Sequence, residues 1–142
     1  MKDSYIVSSD KKQLNIDVIH HFLCFHSYWA KGITKEIVQK SIDHSALCFG
    51  VYKVSDDQLE QIGFARVISD LSTFAYLADV FILPDYRGIG LSKKLIKNII
   101  EHPELNHIRR AMLATKDAHQ LYEKFGFKQI SDTNLFMELK KN

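Results

Sequence analysis

The residues with the clearest capacity for chemistry are Arg87, Gly88, Ile89, Gly90, Leu91, Ser92 and Lys93. They lie between an apolar run and a stretch with helical periodicity. The first turn of a helix carries free N–H groups and the positive end of the helix dipole. Glycines at 88 and 90 let the backbone curl and bring those groups close to an anion. Arg87 and Lys93 add positive charge. The arrangement suits a pyrophosphate, and without a ligand the same residues make a tight strand-to-helix turn. A P-loop is excluded, because no Gly-Lys-Ser/Thr closes the segment. A dinucleotide fingerprint needs a third small residue where Lys93 stands.

Asp79 is the second candidate. It is the only charged residue between Phe74 and Leu83. An unpaired buried charge is costly, so this carboxylate needs a reason. It could deprotonate an ammonium substrate, hold one electrostatically, or pair with a structural Arg or His. Strand alternation places Tyr76 and Asp79 on opposite faces unless a bulge intervenes. The seven histidines do not build a metal site. His20, His21 and His26 lack i, i+4 spacing, and no Cys or acid completes a ligand set. No serine or cysteine sits in a recognisable nucleophile elbow.

Positioning these residues requires ordered elements on either side. Tyr5–Ser8 reads as a strand. Asp10 and Gln13 resemble a capping box, and Leu14, Val18, Phe22 and Phe25 recur at near-helical spacing, so one helix is expected up to Phe25. A loop, Ser27 to Gly32, precedes a second helix capped by Thr34, with Ile33 and Val38 as a hydrophobic staple. Ala46–Val54 and Glu60–Ser69 flank the polar turn Ser55–Gln58 and read as a hairpin. Phe74–Leu83 is apolar on both faces, as a covered central strand should be. Pro84 ends it. Leu91, Leu95, Ile96, Ile99 and Ile100 form the apolar face of the helix after the glycine loop. Arg110–Thr115 reads as a strand. Ala118, Leu121, Tyr122 and Phe125 mark a short helix stopped by Gly126. Phe127–Ile130 and Leu135–Lys140 are expected as two final strands. The order β-α-α-β-β-β-α-β-α-β-β predicts an α/β fold with one mixed sheet and helices on both faces.

The totals are consistent with one globular unit. The chain has 142 residues, 46% hydrophobic and 25% charged, and a formal charge of +2. So small a charge gives no argument for nucleic acid or an anionic membrane. Cys24 and Cys48 sit among apolar residues and are expected to behave as small hydrophobes in a reducing compartment. Met1 to Asp10 lacks the apolar core of a secretory signal, and no apolar run is long enough to span a bilayer. The expectation is a cytoplasmic protein.

At the loop the sequence resembles the GNAT N-acetyltransferase superfamily. Arg87-Gly88-Ile89-Gly90-Leu91-Ser92 is similar to that family's Gln/Arg-x-x-Gly-x-Gly/Ala signature, with Ser92 in place of the final Gly/Ala. Ile82 to Tyr86 (ILPDY) resembles the family's Val-x-Pro-x-Tyr lead-in. Leu121 to Phe127 (LYEKFGF) resembles its late Leu-Tyr-x-x-x-Gly-Phe segment. The resemblance covers most of the chain and is weakest before Ala46.

It implies a single N-acetyltransferase domain over residues 1–142. The implied fold is a mostly antiparallel central sheet whose one parallel strand pair splays apart. The implied co-substrate is acetyl-CoA, with its pantetheine arm in the splay, bonded by backbone of Val80, Phe81 and Ile82. Gly88 to Lys93, with Arg87, would hold the pyrophosphate. Thr115 stands where many relatives carry a cofactor-contacting Asn. Tyr122 matches the family's tyrosine that protonates the leaving sulfur, and a phenol is protonated at neutral pH. Asp79 and Tyr76 compete as proton acceptors. Tyr28, Trp29, Phe74 and Tyr76 would border the acceptor cleft. The implied acceptor is an amine, on a small molecule or a peptide, and sheets of this kind often pair into homodimers. A non-catalytic acyl-CoA binding module is the first rival reading.

Overall fold

The computed structural model describes residues 3–141. Five strands form one sheet in the order β1-β2-β3-β4-β5. They are β1 (Ser4–Ser8), β2 (Leu47–Ser55), β3 (Gln58–Ser69), β4 (Phe74–Ile82) and β5 (Arg110–Leu113). The first four pair antiparallel, and β5 runs parallel to β4. The helices are α1 (Ile16–Phe25), α2 (Lys35–Asp43), α3 (Leu91–Ile100) and α4 (His119–Glu123).

Period-two alternation divides the sheet into two buried faces. Cys48, Phe64 and Phe81 point to α1 and α2, meeting Ile19, Phe22, Leu23, Val38 and Ile42. Phe49, Val51, Ala65, Val67, Ala75 and Leu77 point the other way, onto Leu91, Leu95, Ile96 and Ile99 of α3. The sheet is thus covered on both sides by apolar helix faces. Among the described residues no helix is long and apolar enough to cross a membrane.

Most local signals act as read. Thr34 caps α2 by accepting from the Ile37 N–H, and Ile33 and Val38 pack in the same cluster. The β2–β3 hairpin turns at Asp56 and Asp57, both with positive φ, as a two-residue turn matched to strand twist requires.

The expected single helix from Asp10 to Phe25 is corrected. Asp10 caps a separate 3-10 turn, Lys11–Gln13, and Asn15 starts α1 by accepting from the Asp17 and Val18 N–H groups. The reason lies in Gln61, a buried side chain on β3. It accepts from the Asn15 N–H at 2.6 Å and donates to the Gly63 carbonyl at 3.0 Å, pinning the start of α1 to the sheet. The buried stripe is therefore Ile19, Phe22 and Leu23, and Phe25 is 63% exposed.

The two expected final strands are corrected as well. Among the described residues nothing after α4 pairs into the sheet, and Thr133–Leu135 is a 3-10 turn. Leu135, Met137 and Leu139 alternate as strand residues would, yet Met137 is 98% exposed. The neighbouring edge explains this in part. β5 has only four residues, so it offers a short ladder, and alternation alone does not supply a partner.

Among the described residues the Tyr52 hydroxyl is buried without a hydrogen-bond partner, and it lies over Gly50, where an added Cβ would collide with it. A buried unpaired hydroxyl is destabilising. Tyr52→Phe is therefore expected to raise stability by about 1 kcal/mol, read as a melting shift of about 2–4 °C. A lower melting temperature would contradict this account.

Burial also pushes the Cys48 thiol up to about 11 and the Tyr52 phenol up to about 12. Raised folded-state values mean that the native chain holds these protons more tightly than the unfolded chain. Their contribution is full below pH about 9 and declines as pH rises towards 12. Urea unfolding at pH 8 and pH 10.5 should show the lower midpoint at 10.5.

Candidate active site

The site is created by a bulge in β4. Pairing with β3 passes from Arg66↔Ala78 to Phe64↔Phe81, so Asp79 and Val80 together oppose Ala65. Asp79 takes φ 55, in the left-handed region. Asp visits that region more readily than most residues, and such strain persists only where the surroundings hold it. The extra residue switches the alternation. Asp79 thereby shares the α1/α2 face with Tyr76 instead of opposing it.

Beyond the bulge the parallel pair parts. β4 and β5 are paired only from Phe74↔Arg110 to Leu77↔Leu113. From Ala78 to Ile82 the outer edge of β4 has no partner on β5, so its backbone groups border a slot. Phe81 is anchored inward by stacking on Phe22 at 4.1 Å, which keeps this open edge rigid.

The glycine loop stands at the end of that edge. Pro84–Tyr86 forms a 3-10 turn, and α3 begins at Leu91 with Gly90 as its N-cap and no capping side chain. Gly88 and Gly90 have φ +81 and +86, and a Cβ on either would meet nothing within 4 Å. The backbone conformation thus favours glycine, any other residue being strained there, and the space above it is open. Arg87 Nε donates to the Ile82 carbonyl at 2.9 Å, bringing its guanidinium to the loop. Ile82, Tyr86, Arg87, Gly88, Gly90, Leu91 to Lys93 and Leu121 surround a cleft of about 190 Å³. Ile89 is exposed, Leu91 is buried, and Ser92 is half-buried. Free helix N–H groups, open space and two cations fit an anionic pyrophosphate.

Leu121 connects this cleft to Tyr122, the next residue of α4. Gly126, with φ +95, ends the helix, and the Phe127 N–H returns to the Tyr122 carbonyl at 3.2 Å. Phe127 meets the Tyr122 ring edge-on at 5.7 Å. This Schellman-type closure fixes the ring. Burial, and secondarily the nearby Tyr28 phenol, push Tyr122 up to about 12. Thr115 accepts from the Ala118 N–H at 3.1 Å and so shapes the turn into α4.

On the α1/α2 face, the loop between α1 and α2 reaches both β4 and the segment after β5. Trp29 Nε1 donates to Asp79 Oδ1 at 2.8 Å, while Arg66 Nε donates to Asp79 Oδ2 at 3.0 Å. The Tyr28 hydroxyl accepts from the Lys116 N–H at 2.8 Å, just beyond β5. Tyr28, Trp29 and Asp79 are joined by these contacts, the Tyr28 phenol lies near Tyr122, and Tyr76 shares the α1/α2 face with Asp79, while Tyr122 itself is buried in the cluster on the α3 side. Phe74 stands apart. It lies at the other end of β4, five residues before Asp79, or about 16 Å along an extended strand.

Sequence reasoning missed Arg66 and Lys116. Arg66 carried a signal: it is the lone charge in the apolar stretch Ile62–Ile68, beside another lone charge on β4. Two unexplained charges on neighbouring strands call for each other. Lys116 carried none, because its contact with Tyr28 spans 88 positions. Among the described residues no group of three or more His, Cys, Asp or Glu could hold a metal ion, and both cysteines are free.

Comparison with known proteins agrees with this geometry. The family model "Acetyltransferase (GNAT) domain" matches residues 44–129. A provisionally named acetyltransferase of Gibberella zeae is 30% identical, covering 87% of this chain and 78% of its own. The uncharacterized N-acetyltransferase ycf52 of Porphyra purpurea is 30% identical over 89% of this chain and 71% of its own. A provisionally assigned GNAT acetyltransferase from Xanthomonas campestris pv. campestris has a crystal structure 47% identical, with TM-score 0.88, covering 96% of this chain and 93% of that one. A predicted acetyltransferase from Clostridium acetobutylicum, solved with acetyl-CoA, shares the fold at 16% identity and TM-score 0.65, covering 98% and 96%. A loop of positive-φ glycines at a helix mouth, a parting of β4 from β5 and these matches lead to one conclusion: the chain belongs to the GNAT family of N-acetyltransferases.

Proposed function

We propose that this chain, as one catalytic domain over residues 1–142, transfers the acetyl group of acetyl-CoA to a primary amine by direct attack in a ternary complex. The observation that carries the reading is the parting of β4 from β5 after Leu77 and Leu113, with a cleft lined by Ile82, the glycine loop and Leu121 at the end of β4. The fold shared with the acetyl-CoA-bound Clostridium acetobutylicum structure supports it.

Acetyl-CoA supplies an activated thioester carbonyl and a thiolate leaving group. The Gly88–Lys93 amides, with the Arg87 and Lys93 charges, bind the pyrophosphate. Backbone groups of Val80–Ile82 hold the pantetheine arm as an added strand would, so the thioester is oriented before reaction. The amine nitrogen bonds to the carbonyl carbon and the C–S bond breaks. Tyr122 donates its phenolic proton to the departing sulfur, and the proton released by the amine returns to solvent in the cleft, from which Tyr122 is reprotonated. Thr115 retains a hydroxyl hydrogen to offer the arm.

The test is a screen of aliphatic amines, amino acids, aminosugars and peptide N-termini with acetyl-CoA, read by thiol release and by mass of the acetylated product. At 100 times its dissociation constant, acetyl-CoA should stabilise the fold by about 2.7 kcal/mol. A melting shift without transfer to any amine would favour a binding module. Neither shift nor transfer would remove acetyl-CoA from the reading.

A further inference from the structure

The loop between α1 and α2 is tied to both sides of the slot at once, and Asp79 is one of the two ties. Its carboxylate is almost buried and both oxygens are engaged, one by Arg66 and one by the Trp29 indole. Arg66 is itself held from behind, through Nη1 to the Ser45 hydroxyl at 3.2 Å. Trp29 meets Tyr28 edge-on at 5.0 Å. Tyr28 then reaches the far side, accepting from the Lys116 N–H, with the Lys116 ammonium 5.6 Å from its ring centre. A continuous chain of contacts, Arg66–Asp79–Trp29–Tyr28–Lys116, therefore bridges the end of the slot. Its inner members, Arg66 and Asp79, are half-buried, with side chains 16% and 10% exposed, whereas Trp29 is 43% and Tyr28 49% exposed, leaving aromatic surface free for an acceptor.

We propose that Asp79 is a positioning residue: paired with Arg66, it holds the Trp29 indole so that Trp29 and Tyr28 form a fixed aromatic wall of the acceptor site across the gap between β4 and β5. The proposal rests on the transferase reading above and adds a role for the bulge. The left-handed Asp79 turns its carboxylate toward the loop, where a regular strand would turn it to the opposite face. Accepting a proton at either oxygen would disturb the bond to Arg66 or to Trp29. The wall is aromatic and its one acid is already paired, so it suits amines carried on apolar or aromatic groups.

Trp29 is the only tryptophan, so its emission and its quenching by acrylamide read the wall directly in the full-length chain. Asp79→Ala should red-shift the emission and increase quenching. It should also lower the ratio of amine-dependent thiol release to amine-independent acetyl-CoA hydrolysis by about tenfold, as expected for a misplaced acceptor. The amine is the one turned over fastest in the screen. General destabilisation would lower both rates and leave the ratio unchanged. Trp29→Phe should lower the ratio by a similar factor, and the double variant should go no further, because the two residues act as one unit. Asp79→Asn keeps an oxygen for the indole N–H but sets its NH2 donor against the Arg66 N–H, so it should recover the ratio only in part.

The proposal is overturned if Asp79→Ala leaves Trp29 quenching unchanged. It is also overturned if Trp29→Phe keeps the full ratio while Asp79→Asn abolishes transfer and removes the acidic limb of the pH profile, which would make Asp79 the base. Should the Asp79 variants not fold, Trp29→Phe alone decides through the ratio. If the unaltered chain transfers to no amine, the transferase reading fails, and the Asp79→Ala quenching result still decides whether the wall is held as proposed.

Discussion

Replacing Tyr122 with Phe should lower kcat by about 10²–10³-fold, within the range ascribed to a positioned general acid. Acetyl-CoA binding should change little. The substitution removes one oxygen from a ring fixed by Phe127 and by the helix end at Gly126. Ring packing is kept, so the melting temperature should hold within a few degrees. Loss of turnover with an intact melting shift on adding acetyl-CoA would separate chemistry from binding. Because burial raises the phenol to about 12, Tyr122 stays protonated throughout the neutral and mildly alkaline range. The rate should show no fall attributable to this group below pH about 10. A Phe variant with full turnover would remove the proposed acid and return Tyr122 to the role of a core aromatic.

Gly90→Asp should weaken acetyl-CoA binding by about 100-fold. Gly90 is the N-cap of α3 and carries φ +86. Asp is among the few residues that tolerate that region, so the loop should still form. Its carboxylate would stand at the mouth proposed to receive pyrophosphate. Two like charges at ~6 Å with an effective dielectric of about 20 repel by about 3 kcal/mol, close to a factor of 100 in dissociation constant. Space is not limiting, because nothing lies within 4 Å of an added Cβ. Calorimetric titration of the variant with acetyl-CoA measures the effect. Gly90→Ala is the companion control, adding strain but no charge. Equal affinity in Gly90→Asp and the parent chain would mean that this helix mouth does not bind the anion.

Much of this architecture could be read one segment at a time. The helical period of α3, the alternation and polar turn of the β2–β3 hairpin, the Thr34 cap and the Gly126 stop are local features with local physical causes. The loop from Arg87 to Lys93 belongs with them. Its glycines were legible because positive φ is a property of the residue itself. The misreadings have non-local origins. Asp10 and Gln13 could cap a helix, but Gln61, distant in sequence, pins the helix start at Asn15. Leu135, Met137 and Leu139 alternate correctly, yet a strand exists only with a partner edge.

The sequence alone thus determined the family, the order of elements from β2 to α4, and the place of the glycine loop, because each depends on neighbours within a few residues. Only the tertiary structure decided where β4 parts from β5, the bulge that carries Asp79 to the face of Tyr76, and the pairing of Asp79 with Arg66 and Trp29. Those outcomes depend on strand register and on burying a charge against its counterpart. Both are energies of contact between segments far apart in the chain, and no single segment contains them.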